Sequence, residues 1–190
     1  MVMTSSASGT IHPRERLLNI AGKLFYANGI HTVGVEQLVR EAGVTRATFY
    51  RHFAGKEGLV IAYLQERDAR VKRAVEAILR AHRGRDALLE IVAMIADSIL
   101  QPEFRGCGFL NAAAEYPDPR HHVRLCVAEH RDWFRGVLRD VAHDAGHPDP
   151  DRAARALMVL RDGAMAAGYL DDPHDVARTL REAAETILDA

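Results

Sequence analysis

Cysteine is scarce in this chain: 190 residues carry two, Cys107 and Cys126, with no CxxC pair. That excludes a disulfide scaffold and predicts buried, reduced thiols in a cytoplasmic setting, with a redox switch between the two as the alternative. Adjacent His121 and His122 lie near Cys126, but this is not the spacing of a structural zinc site, and neighbouring histidines on a helix point apart. No metal and no cofactor are expected. Uninterrupted apolar runs on the order of 18 residues are missing, so no transmembrane helix is expected. Residues 1–12 are rich in Ser, Thr and small side chains. They lack an apolar signal core and read as a loose, unsecreted arm. Catalytic signatures are missing as well: there is no GxSxG, no GxxxxGK[ST] and no HExxH. The glycines of Arg105-Gly106-Cys107-Gly108 are too short a signal for a phosphate loop. Strand-like alternation does not stand out anywhere.

What is present is helical and charge-segregated. Hydrophobic residues make up 48% and charged residues 27%, as in a globular protein with a real core. The net charge of −1 conceals an asymmetry. Residues 13–58 hold seven Lys/Arg against four acids, whereas residues 144–190 hold ten acids against five Arg. A basic head with an acidic tail suits a molecule that meets phosphates at one end only.

Apolar periodicity predicts about nine helices. Pro13 suits a first helical position, and Leu17, Ala21, Leu24 and Phe25 form a stripe ending at Asn28-Gly29. A long helix is predicted from about Lys56 to His82, striped by Val60, Leu64, Val71, Val75, Ile78 and Leu79. The segment 86–100 is apolar most of the way round and should be central. A short helix over Cys107–Ala114, a long one over Arg120–Ala145, and two last helices near 150–170 and 173–189 complete the chain.

The segment from Val35 to Phe53 is the most informative. Val35, Leu38 and Val39 share one helical face, Gly43 suits a left-handed helix end, and Thr45 suits an N-cap. Phe49 and Phe53, four apart, would face inward. Arg46, Ala47, Thr48, Tyr50, Arg51 and His52 then point outward or flank the core. Two short helices around a glycine turn, the second basic and aromatic, are what a helix-turn-helix presses into a major groove. Arg46 suits a guanine edge or a phosphate, Ala47 permits close approach, and Thr48, Tyr50, Arg51 and His52 suit phosphate oxygens. Lys56, at the start of the next helix, could meet another phosphate. The same spacing also fits a pair of surface helices with ordinary solvated charges.

Residues 13–59 also resemble the DNA-binding domain of the TetR family of transcriptional regulators. The resemblance rests on Leu24-Phe25-Tyr26-Ala27-Asn28-Gly29-Ile30, Ala42-Gly43-Val44-Thr45, Thr48-Phe49-Tyr50-Arg51-His52-Phe53 and Lys56-Glu57. It implies an all-α protein: a three-helix DNA-binding domain over 13–58 and a ligand-binding and dimerisation domain over 59–190. One departure stands out. The family usually has Thr or Ser before its second helix, where this chain has Val33 and Gly34. Thr32 or the Gly34 backbone N–H would have to substitute there.

The resemblance further implies a homodimer joined through the last two helices, here Leu157, Leu160, Ala164 and Gly168 with Val176, Leu180, Ala183 and Ile187. It implies a partly apolar small-molecule effector bound in the body. Candidate pocket residues are Met94, Ile95, Phe109, Leu110, Trp133 and Phe134, with Asn111, Glu115 and His130 as polar groups; residues of these types at helical spacing are more often ordinary core or satisfied buried hydrogen bonds. The expectation is a non-enzymatic regulator that binds a palindromic operator in double-stranded DNA as a repressor and is released by its effector. A helical scaffold, or an enzyme using the apolar pocket, is the rival. The arm could add a supplementary DNA contact.

Overall fold

The computed structural model describes residues 12–190, and among these it contains nine α-helices and no strand. They are α1 (Pro13–Asn28), α2 (Val35–Ala42), α3 (Arg46–His52), α4 (Gly55–Ala81), α5 (Gly84–Ile99), α6 (Gly108–Glu115), α7 (His122–Asp144), α8 (Pro150–Leu170) and α9 (Pro173–Leu188). The expected arm lies outside the described residues except for His12. That residue is structured: its Nδ1 accepts the Arg14 backbone N–H and caps α1.

Local chemistry explains the boundaries. Pro13, Pro150 and Pro173 each open a helix, where a missing N–H removes nothing the helix needs. Asp149 and Asp172 cap α8 and α9 by accepting backbone N–H groups. Between α2 and α3, Gly43 has φ +60° and ψ +44°. Its N–H bonds to Arg40 O and that of Val44 to Val39 O, the paired hydrogen bonds of a Schellman ending.

The chain divides into two compact units within α4, at Tyr63/Leu64. The first turns of α4 belong to the head, since the Tyr63 ring lies edge-on to Phe25 at 5.7 Å. The head core comprises Leu17, Ala21, Phe25, Ile30, Val33, Leu38, Phe49, Phe53 and Leu59, all buried. The body, Leu64–Ala190, packs α5 centrally, with Ala87, Leu88, Ile91, Val92, Ile95, Ala96 and Ile99 buried. Helix α8 joins this core through Leu157, Met158, Ala164 and Gly168, and α9 through Ala177, Leu180 and Ala184.

Within the protomer, the residues expected at the dimer interface face largely inward. Leu157, Ala164, Gly168 and Leu180 are buried inside the protomer. Gly168 is so close to Ile99 that a Cβ there would collide with the isoleucine side chain. Leu160, Val176 and Ile187 are partly buried against the same core, and Ala183 is half-buried. The apolar side of α8 that remains open is the opposite one. Val159 is 74% and Leu170 75% exposed, and Gly163 and Ala166 between them are exposed too. Their spacing of four, three and four residues places all four in one stripe.

Candidate nucleic-acid interface

Helix α3 is short, so its orientation depends on its anchors. Phe49 is fully buried and Phe53 nearly so, their rings 5.9 Å apart. At the N-terminus the Thr45 hydroxyl accepts the Thr48 backbone N–H at 3.1 Å, satisfying a donor that the helix itself leaves unpaired. The Thr45 and Thr48 hydroxyls also lie 3.0 Å apart. With that face fixed inward, Thr45, Arg46, Ala47, Tyr50 and Arg51 are exposed, and Thr48 and His52 half-buried. Tyr50 stands edge-on to Phe49 at 5.1 Å, which aims its phenol outward from a rigid base.

Helix α2 starts without a side-chain cap at Gly34. Val33 is buried, as is Leu38 in the second turn. These are the two positions of a hydrophobic staple, so Val33 gives the entry to α2 packing in place of a hydroxyl. Thr32 does not substitute for it, because its hydroxyl bonds the carbonyls of Asn28 and Gly29 at the end of α1. Lys56 Nζ donates to His31 O at 3.2 Å, which ties the start of α4 to the α1–α2 loop. Desolvation, followed by electrostatic repulsion from the neighbouring Arg51, His12 and Arg14, holds the His52 ring below its ordinary pKa of 6.5. At neutral pH that ring is mostly uncharged.

In the body, four of the sequence-selected pocket residues come together. His130 is buried and stacks parallel on Phe109, with ring centres 3.7 Å apart. Trp133 and Phe134 approach the same ring at 5.8 and 6.4 Å. Met94 packs on the apolar core and Ile95 lies in it. Leu110 and Glu115 are half-buried. Asn111 is exposed, and its amide donates to Arg105 O, bracing the loop before α6. His121 caps α7 through Nδ1, which accepts the Val123 N–H.

The polar partners of this aromatic group escaped the sequence reading. Asp68 Oδ1 lies 2.8 Å from His130 Nδ1, and Asp68 Oδ2 lies 2.7 Å from Lys72 Nζ. Burial pushes the Asp68 carboxyl up, but the hydrogen bonds from Lys72 and His130 outweigh it and hold it below its ordinary value. It is therefore an acceptor, and His130 Nδ1 must carry the proton. Burial also dominates at His130, holding the imidazole below 6.5 against the pull of Asp68, so it is neutral at neutral pH. On the other side Arg161, 9% exposed, donates from Nη2 to Cys107 Sγ at 3.1 Å and from Nη1 to Asp162. Its guanidinium lies 5.9 Å from the Phe134 ring centre. Desolvation works against the Arg161 charge, but Cys107 and Asp162 raise its pKa overall and keep it protonated. A signal for Arg161 did exist: it falls on the Leu157–Ala164–Gly168 stripe, an unusual place for a charge. Asp68 carries no such signal, since four residues before Lys72 it has the spacing of an ordinary helical ion pair.

Comparison with known proteins agrees with this arrangement. The family profile described as bacterial regulatory proteins, tetR family, matches residues 17–63, which include α2 and α3. An uncharacterized HTH-type transcriptional regulator of Bacillus subtilis, YdgC, is 32% identical over 69 residues, covering 36% of this chain and 35% of that protein. The chain thus spans about a third of the length of that relative. Two solved structures match throughout. A TetR-family transcriptional regulator from Streptomyces coelicolor is 44% identical, covers 93% of this chain and 94% of its own, and superposes with a TM-score of 0.91. A putative TetR transcriptional regulator from Streptomyces avermitilis is 30% identical over 92% and 98%, with a TM-score of 0.76. Likeness at that identity across both units, with a capped α3 whose basic and aromatic side faces outward, means that the chain belongs to the TetR family of DNA-binding transcriptional regulators.

Proposed function

We propose that this regulator is a repressor that binds a palindromic operator as a homodimer and leaves it when a small molecule occupies the body. The observation that carries the DNA half is the outward face of α3, where Arg46, Ala47, Tyr50 and Arg51 are exposed on a helix anchored by Phe49. Arg46 reads a base edge, Ala47 lets the backbone approach, and Thr45, Thr48, Tyr50, Arg51, His52 and Lys56 hold phosphates. One helix reads too few base pairs to single out an operator. Two copies related by a two-fold axis double the reading and impose a palindrome.

The second copy docks on the open stripe of α8: Val159, Gly163, Ala166 and Leu170. Large apolar side chains left this exposed gain by burial, and Gly163, whose missing Cβ faces empty space, admits a close helix. The effector acts at the aromatic group around His130. A partly apolar ligand stacking there would have to rearrange Asp68 on α4, the helix that continues into the head. About 5.5 kcal/mol of differential affinity is enough to invert a 1:99 equilibrium between two geometries.

The test is selection of bound duplexes from a random pool. A palindromic consensus is expected, with affinity falling steeply between low and moderate salt as phosphate contacts are screened. Arg46→Ala should weaken operator binding by about 1–3 kcal/mol. No sequence preference at any ionic strength would sink the reading.

A further inference from the structure

The Arg46 guanidinium is already engaged. Its Nη1 lies 2.6 Å from Oε1 of Glu36, a residue in the first turn of α2. Both side chains are open to solvent, 62% and 68% exposed. A pair that open adds little to stability. It also sets a carboxylate on the very side of the head that must approach phosphates, where a negative charge costs affinity on any DNA. An acid in the first turn of a helix is ordinarily explained by the helix dipole. That explanation does not require the side chain to reach across to α3 and contact the one arginine at its start.

We propose that Glu36 is a specificity-determining residue, holding Arg46 so that it reads a guanine edge rather than a phosphate. This rests on the DNA-binding reading above. A guanidinium is planar and offers its donors in a fixed fork. With Nη1 drawn to Glu36, the Nε–Nη2 edge is the one left to face outward, and two donors on one edge are what the bidentate contact to guanine O6 and N7 requires. Without the carboxylate the long side chain is free to swing to the nearest phosphate, a contact that carries no sequence information. The same negative charge weakens phosphate contacts on every duplex alike, which lowers affinity without changing preference, so the discrimination comes from fixing the reader.

The experiment uses the full chain as parent, Glu36→Gln, Arg46→Ala and the double variant. Each is titrated against the selected operator, against that operator with the preferred guanine pair exchanged, and against a random duplex. For Glu36→Gln, random-duplex affinity should rise severalfold, and preference for the operator over the exchanged duplex should fall about tenfold. In the Arg46→Ala background the same substitution should leave that preference unchanged. A uniform gain on all three duplexes, with preference intact, would show plain charge repulsion and overturn the proposal. So would an equal loss of preference with and without Arg46. If the parent prefers no duplex, the DNA-binding reading fails with it, and that result is recognisable because it precedes any variant.

Discussion

In the head, the buried residues are apolar, from Leu17 through Phe49 to Tyr63, and the charged groups stay outside. In the body, the two buried charged or polar side chains of the described chain, His130 and Arg161, sit among aromatic rings and bring Asp68, Lys72, Cys107 and Asp162 with them. An apolar core wedged by aromatic rings has one good packing, which suits a surface that must present the same face to every duplex. A buried polar network is different. Its hydrogen bonds are worth much when complete and leave costly orphans when one is lost. To its apolar core the body therefore adds a buried polar contact between α4 and α7 that a proton can break, and the head core, among the described residues, has no buried polar side chain of that kind.

Removing the head's wedge should do most damage. Phe49→Ala deletes a fully buried ring, at an expected cost of about 3–5 kcal/mol, and should abolish DNA binding by releasing α3. Urea unfolding and duplex titration would check it. If α3 still binds DNA normally, the head is not organised around this ring.

Next in size is the open face of α8. Val159→Glu places a charge where a partner copy is proposed to lie, while the residue is solvated within its own protomer. Dimer dissociation should therefore rise by about two orders of magnitude or more, taking roughly 1.5–3 kcal/mol of apolar burial lost per copy. Far-UV helicity should be unchanged, and sedimentation would report the monomer. Leu157→Glu, by contrast, should unfold the body.

Breaking the network from its acid end should cost less than losing Phe49. Asp68→Ala leaves the buried His130 N–H without its acceptor, worth about 1–3 kcal/mol of body stability in chemical denaturation. If stability is unaffected, the His130–Asp68 contact does not hold α4 to α7.

The smallest effect is a pH dependence confined to the body. The folded pKa of His130 lies below its ordinary 6.5, so below that pH the unfolded chain binds the proton more readily. Stability from the neutral ring is complete above about pH 6.5 and is lost as pH falls toward the folded value, with a slope of at most about 1.4 kcal/mol per pH unit. Asp68, also depressed, acts in the same direction at lower pH, because its contribution is lost as its carboxylate is protonated. His130→Gln should flatten the upper part of this profile. A body equally stable at pH 5 and pH 7.5 would contradict the buried neutral imidazole.

The two regions also differ in how much of them the sequence disclosed. In the head, nearly every determinant is local. Gly43 ends α2 by its own left-handed backbone, Thr45 caps α3 through the backbone N–H three residues on, and Phe49 and Phe53 are one turn apart. Such signals are written within a few residues, so α3 and its outward set were legible. The Glu36–Arg46 pair was not, because it crosses from one helix to another. In the body, Phe109, His130, Trp133 and Phe134 were selected as a group from their apolar faces. Asn111 was selected by the same logic and lies exposed, since its helix turns that side to the loop at Arg105.

Helix positions, the Thr45 cap and the glycine turn followed from the chain alone, because a 3.6-residue period and a capping hydroxyl need no distant partner. Which side of a helix faces inward did not follow where both sides carry apolar residues. On α8, Leu157, Ala164 and Gly168 run down one side and Val159, Ala166 and Leu170 down the other. Only docking against Ile99 settles that the first side is the protomer's own core. Likewise His130 and Asp68 are 62 residues apart, and their contact exists only once α4 and α7 are packed together.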